Sequence, residues 1–250
     1  MAPAALEPSG RHVVVTGAAG GIGRAIVEAL AACSCRVAAC DVSEAVETVP
    51  GATAAARFDV RDRGQCERAV AGLVEELGGC DAVVANAGIV DTIHPAERFP
   101  EEAWRQDLES NLYGHFHVAQ AAFPALAASG DGRLVMISSV AAETGLPGQV
   151  AYGAAKAGVV GLARTLAAEW GPSGVRCNVV MPGFIATPKV RALPSALLEG
   201  LARSVPLGRV GEAEELAGVV AFLLSPAAAY LNGAVIRVDG GFGLALGGLG

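Results

Sequence analysis

Lysine is almost missing from this 250-residue chain: only Lys156 and Lys189 are present, against sixteen arginines. Aromatic residues are scarce at 5 %, charged residues make up only 17 %, and the formal net charge is −7. That acidic balance excludes the usual electrostatic footprint of a nucleic-acid or anionic-membrane partner. No uncharged apolar run approaches the roughly 18 residues of a membrane span. The first residues, MAPAALEPSGRH, lack the basic region and apolar stretch of a signal peptide. A cytoplasmic location is therefore expected. The six cysteines, at 33, 35, 40, 66, 80 and 177, include no CxxC pair, and the histidines at 12, 94, 115 and 117 make no ligand pattern with them. We expect reduced, packing cysteines and no metal site. His115 and His117, two apart, fall on different faces of a helix.

What the chain has is apolar bulk, 52 % of residues, and a regular alternation of strand and helix signals. Strands are predicted at 12–16, 36–41, 56–60, 81–88, 133–139, 175–183 and 234–241. Helical spacing comes after the first strand and recurs at 66–77, over one long stretch at 101–128, and at 151–170 and 212–224. Residues 188–203 read as a helical insertion with prolines at its margins. Apolar strands alternating with amphipathic helices predict an α/β fold: a single-domain, Rossmann-like, doubly wound parallel sheet of about seven strands with helices on both faces. No linker divides residues 1–250. In such sheets ligands lie at the carboxyl ends of the strands, where Asp41, Asp59, Asn86, Ser138, Ser139 and the Pro182–Gly183 turn fall.

TGAAGGIG at 16–23 joins the first strand to the first helix, with glycines at 17, 21 and 23. Such a turn lets backbone approach a diphosphate at a helix N-terminus. Asp41 ends the second strand about 20 residues later, where a carboxylate accepts from ribose hydroxyls and repels a 2′-phosphate. With alanine at 18 and 19 and Val42 next along the chain, no basic neighbour offsets that repulsion. NAD is the expected cofactor. Tyr152 and Lys156 stand one helical turn apart, on one face. An ammonium there lowers a phenol pKa toward the range useful to a general base.

The chain resembles the short-chain dehydrogenase/reductase family over nearly its whole length. The resemblance rests on TGAAGGIG, Asp59-Val60, NAG at 86–88, Asn111, Ser139, YGAAK at 152–156, Pro182-Gly183 with Thr187, PLGRVGEAEELA at 206–217 and VDGG at 238–241. It implies Tyr152 as acid/base, with Lys156 lowering its pKa and binding the nicotinamide ribose. Ser139 is implied on the substrate oxygen, and Asn111 on a water behind Lys156. Ser138 and Ser139 point oppositely on a strand, and the family spacing selects Ser139. The cofactor would meet Gly17, Gly21, Ile22 and Gly23, then Asp41, Asp59 and Val60. Asn86, Ala87 and Gly88 line its adenosine side, and Pro182, Gly183, Ile185 and Thr187 its carboxamide end.

Substrate choice is expected in the loop after Ser139, with Glu143 and Gln149 as its polar members, and in an apolar lid at about 184–205 carrying Phe184, Leu193 and Leu197. These point to an NAD(H)-dependent oxidoreductase acting on a secondary alcohol or ketone of modest size. A 3-oxoacyl-carrier-protein reductase is the rival enzyme reading. A non-catalytic dinucleotide sensor is the rival from another class. Tyr113 and Tyr230 read as packing or surface residues. The small, apolar 151–170 helix and the tail GFGLALGGLG, together with the resemblance, imply a homotetramer.

Overall fold

The computed structural model of the chain describes residues 5–244. The start of the N-terminal segment and most of the apolar tail lie outside the described residues. The strands are β1 (His12–Thr16), β2 (Arg36–Asp41), β3 (Ala54–Arg57), β4 (Ala82–Ala85), β5 (Arg133–Ile137), β6 (Arg176–Pro182) and β7 (Val235–Val238). They form one parallel sheet in the order β3-β2-β1-β4-β5-β6-β7. The order reverses between β1 and β4, which opens a crevice at their carboxyl ends.

Helices α1 (Gly21–Ala32) and α9 (Ala213–Leu224) cover one face of the sheet. Helices α2 (Arg63–Leu77), α4 (Gly114–Ala128) and α6 (Val150–Trp170) cover the other. The period-2 geometry of a strand divides β1 between them: Val13 and Val15 join the α1/α9 layer, and Val14 joins the α2/α4/α6 layer. Because both faces are covered, the strands need no polar alternation, which accounts for runs such as HVVVT. Ile26 and Leu30 of α1 are fully buried against this sheet. Truncating either to alanine would cost about 2–5 kcal/mol. Local signals set the ends of α2, where Asp62 accepts from the Gln65 N–H at 2.9 Å and Gly78 closes the helix at φ +81°.

The structure departs from the sequence reading in several boundaries. The third strand is Ala54–Arg57, earlier than 56–60, and the fourth stops at Ala85, leaving Asn86–Gly88 in a loop. The expected single helix at 101–128 is α3 (Glu101–Leu108), a π turn at Glu109–Tyr113, and α4. A π turn adds one residue to a helical turn and rotates the facing of every later residue on the helix, so a search for one period does not register it. After β6 come two short helices, α7 (Pro188–Arg191) and α8 (Ser195–Arg203), and a further short helix, α5 (Ala141–Thr144), comes after β5. No residue of α7 or α8 is buried.

Candidate active site

The crevice between β1 and β4 is built around Thr16. Its hydroxyl oxygen accepts from the N–H groups of Asn86 and Ala87, both at 3.1 Å. Asn86 Nδ2 reaches back to the carbonyls of Thr16 (3.0 Å) and Gly17 (3.1 Å). Gly17, at φ +66°, permits this approach: a Cβ there would fall 2.8 Å from Ala87 Cα. The glycine turn and the NAG loop are therefore one hydrogen-bonded unit. Helix α1 begins at Gly21 with no side-chain cap and no acidic residue in its first turn, so Gly21, Ile22 and Gly23 present backbone N–H groups to the crevice mouth.

Asp41 is held by both oxygens: Oδ2 accepts from the Ala19 N–H and Oδ1 from the Ser43 N–H, each at 3.0 Å. A cleft of about 260 Å³ runs from there, lined among others by Gly17, Asp41, Asp59, Val60, Ala87 and Gly88. Asp59 is paired with Arg61, whose hydrogen bonds hold its carboxyl below the usual range against the opposing effect of burial. The sheet corrects the reading that Asp41 has no basic neighbour. Arg57 is its register partner on β3, invisible at a separation of sixteen residues. That guanidinium is already engaged, donating to the Val42 carbonyl at 2.9 Å and pairing with Glu44 at 2.6 Å. A diphosphate-sized turn, unpaired helix N–H groups and an anchored carboxylate fit a nicotinamide dinucleotide.

At the far end of the crevice, Ser138 turns inward and donates to the Lys156 carbonyl at 2.7 Å, while the Ser139 hydroxyl, which accepts from the Ala141 N–H at 3.2 Å, lies near the Tyr152 phenol. Tyr152 and Lys156 share one face of α6, with Nζ 5.8 Å from the ring centroid. Lys156 is 3 % exposed and donates to the Ile137 carbonyl at 3.0 Å. Burial alone brings its pKa down to about 7. The Tyr152 phenol stands above its ordinary value of 10: burial raises it most, the Ser139 hydroxyl lowers it, and the Asp107 carboxylate raises it further. In the protein alone, desolvation therefore outweighs the lowering expected from the Tyr–Lys pair. Asn111, fully buried in the π turn, holds Ile89: Oδ1 accepts from its N–H at 3.0 Å and Nδ2 donates to its carbonyl at 2.9 Å. Gly88 sits between the two side chains, since a Cβ would lie 2.5 Å from Asn111 Oδ1 and 3.3 Å from Lys156 Nζ.

Of the residues expected to meet substrate, Gln149 lies just before α6, its Oε1 buried without a protein partner. Glu143 instead pairs with Arg237 of β7 and faces outward. Phe184 packs edge-on to Phe242 at 4.9 Å, a contact no local pattern announces. Ile185 bridges to Gly211, and the Thr187 hydroxyl caps α7 by accepting from the Val190 N–H. Thr187 and Pro188 rest on Gly21, whose added Cβ would stand 2.8 Å from Pro188 Cδ. Pro182 ends β6, and Gly183 packs on Asp239. Leu197 is 49 % exposed and Leu193 half-buried. Lys189 pairs with Asp91, tying α7 to the loop after β4. Tyr113 and Tyr230 are surface residues, and all six cysteines are free. Asp107 and His115 escaped the sequence reading as members of the site. Both are buried, and both hold polar atoms without protein partners.

A family model described as enoyl-(acyl carrier protein) reductase matches residues 17–243. The 3-oxoacyl-[acyl-carrier-protein] reductase MabA of Mycobacterium tuberculosis is 39 % identical, over 94 % of this chain and 93 % of that protein. The (3R)-3-hydroxyacyl-CoA dehydrogenase of Rattus norvegicus is 40 % identical, over 91 % of this chain and 94 % of its own. Levodione reductase superimposes with a TM-score of 0.87 at 35 % identity, covering 93 % of this chain and 97 % of that one. No helix among the described residues is long and apolar enough to cross a membrane. The glycine turn, the NAG loop and the Ser–Tyr–Lys group occur together in a chain matched over nearly its whole length, and that chain belongs to the short-chain dehydrogenase/reductase family of oxidoreductases.

Proposed function

We propose that the protein interconverts a secondary alcohol and a ketone with NAD(H), and that its substrates are small 3-hydroxyacyl or 3-oxoacyl thioesters and comparable apolar ketones. The observation that carries the cofactor choice is Asp41, anchored at both oxygens at the head of the cleft with Arg57 already engaged. A 2′-phosphate would meet that carboxylate at close range. The dinucleotide, when bound, supplies the hydride acceptor or donor. The chain supplies the proton chemistry: Tyr152 takes the hydroxyl proton in oxidation and returns it in reduction. Ser139 steadies the oxygen between alcohol and carbonyl. Lys156 holds positive charge beside the phenol, and Asn111 keeps the loop bearing Gly88 and Ile89 in place. Phe184, Leu193 and Leu197 are assigned to an apolar wall, and residues 184–205 to a closing lid.

The thioester class is supported by the names of the relatives. A carrier-protein reductase is the second reading, on the same ground. Around the lid, however, the cations are neutralised: Lys189 by Asp91, Arg191 by Glu212, Arg203 by Glu199 and Arg209 by Glu215. An acidic carrier protein needs unpaired cations to dock, which favours the small thioester. Initial rates with acetoacetyl-CoA, the corresponding carrier-protein thioester and an aryl ketone, each with NADH and NADPH, test the proposal. A kcat/KM with NADPH equal to that with NADH removes the cofactor assignment, and strict dependence on the carrier protein favours the second reading.

We also assign the protein to a homo-oligomer, in keeping with the expected tetramer. Tyr113 and Phe116 are exposed beside an outward face of α6 made of Ala154, Ala157 and Gly161. Small residues next to exposed aromatics suit a helix-on-helix contact between copies.

A further inference from the structure

Three arginines gather at the end of the sheet opposite the crevice, where none of the chemistry above reaches. Arg133 and Arg176 open β5 and β6 and are register partners, and Arg11 immediately precedes β1. Strand alternation puts all three on the α1/α9 face, in line with Val135, Val180 and Val13 respectively. All three converge on Asp131. Arg176 Nη1 lies 2.6 Å from Oδ1, and Arg133 Nη2 lies 3.1 Å from the same oxygen. Arg11 pairs with Oδ2, while its Nη1 donates to the Asp131 carbonyl at 3.0 Å. Among the described residues these arginines make no other ion pair.

Three guanidinium groups against one carboxylate leave an excess of two positive charges. Bulk water does not absorb that excess. Arg133 is 1 % exposed, and its Nε and Nη1 are buried without a hydrogen-bond partner. Burial brings its pKa down to about 10; Asp131 opposes the fall, and Arg176 and Arg11 add to it. Even so lowered, the group stays charged at neutral pH. Buried charge without a partner is costly, so this cluster is short of an anion.

A cavity of about 340 Å³ adjoins it, lined by Gly171, Gly174, Arg176, Ala229, Tyr230 and Asn232. No carboxylate lines it. Arg176 links cavity and cluster: Nη1 is taken by Asp131 and Nε by the Ala229 carbonyl, while Nη2 has no protein partner among the described residues. Tyr230 stands fully exposed at the rim, its phenol a further donor. We propose that this cavity binds a phosphate group, a doubly charged tetrahedral oxyanion, on Arg176, with Arg133 and Arg11 supplying positive charge behind it. Two negative charges bring the cluster to neutrality. The site lies apart from the cofactor and substrate assignments and does not depend on them.

The experiment titrates inorganic phosphate, and separately glycerol 2-phosphate, into NADH-saturated protein at constant ionic strength in chloride, read by calorimetry. NADH saturation, checked by fluorescence, keeps both probes off the glycine turn. The wild type should bind one anion per chain with a Kd of about a millimolar or below. Arg176→Leu should weaken this about tenfold or more, with the Kd for NADH unchanged. Arg133→Met, which removes charge from behind the site, should weaken it about threefold or more. Tighter binding of the monoester assigns the site to a phosphorylated compound, and tighter binding of phosphate assigns it to the free ion; both support the site. Absence of saturable binding, undiminished binding in Arg176→Leu, or acetate binding as tightly as phosphate overturns the proposal. Should a variant fail to fold, wild-type crystals soaked in tungstate, a heavier tetrahedral dianion, decide: an anomalous peak beside Arg176 supports the site, and its absence refutes it.

Discussion

Asn111 grips a single residue, Ile89, through both its N–H and its carbonyl, at 3.0 and 2.9 Å. The grip crosses from the π turn to the loop after β4, and Gly88 fills the space between that amide and Lys156. Gly88→Ala should therefore act on the site while leaving the sheet alone. Its methyl would displace the Asn111 amide or the Lys156 ammonium. We expect kcat to fall about tenfold or more with little change in melting temperature, read by steady-state kinetics beside a thermal melt.

Tyr152→Phe keeps the ring and its packing but removes the exchangeable proton. Turnover should drop by about two to four orders of magnitude while NADH still binds, as measured by fluorescence titration. Since burial sets the phenol above its ordinary value, oxidation, which needs the phenolate, should accelerate with rising pH. Reduction, which needs the phenol, should run well at neutrality. Equal pH profiles in the two directions would contradict the assignment.

Asp41→Ala should relax the cofactor choice. It removes the carboxylate that repels a 2′-phosphate, while Arg57 on the neighbouring strand stays bound to Val42 and Glu44. We expect an NADH preference of about tenfold or more in the wild type, about 1.4 kcal/mol, to shrink toward parity in the variant. The ratio of kcat/KM values for the two cofactors is the measurement.

Asp107 is a buried carboxyl with neither oxygen partnered, and burial and the nearby Asp91 push its pKa up from 3.8. An acid with a raised folded-state pKa weakens the fold as pH rises from its unfolded value through the folded one. Asp107→Asn should therefore raise the melting temperature at pH 7–8, and the gain should vanish toward pH 4. A constant difference at every pH would show that charge is not the cause.

Apolar chain length tests the wall proposed for residues 184–205. Each methylene added to a ketone should improve kcat/KM by about 0.8 kcal/mol until the pocket is full. Substrates rich in hydroxyls should be poor, and a polyol preference would displace Phe184, Leu193 and Leu197 from the assigned wall.

Much of this molecule is legible in its sequence because buried parallel strands announce themselves as runs such as HVVVT and RLVMI, and because the glycine turn and the Tyr–Lys pair are local patterns. The features that escape are set by contacts distant along the chain. Arg57 reaches Asp41 only through strand register, Phe242 meets Phe184 only when the carboxyl end folds back, and the π turn at Asn111 hides within a continuous apolar periodicity. Asp107 and His115 are the same problem in another form. Each is an ordinary polar residue on a helix until packing removes its water and leaves its atoms unpaired.

The seating of Thr187 and Pro188 on Gly21 bears on kinetics rather than affinity. The root of the segment proposed to cover the substrate rests on the very turn assigned to the diphosphate. If that turn takes the diphosphate, its loading reaches the root of the proposed cover before any ketone arrives. We therefore expect ordered binding, dinucleotide first, with the spent dinucleotide leaving last, which product-inhibition patterns would show.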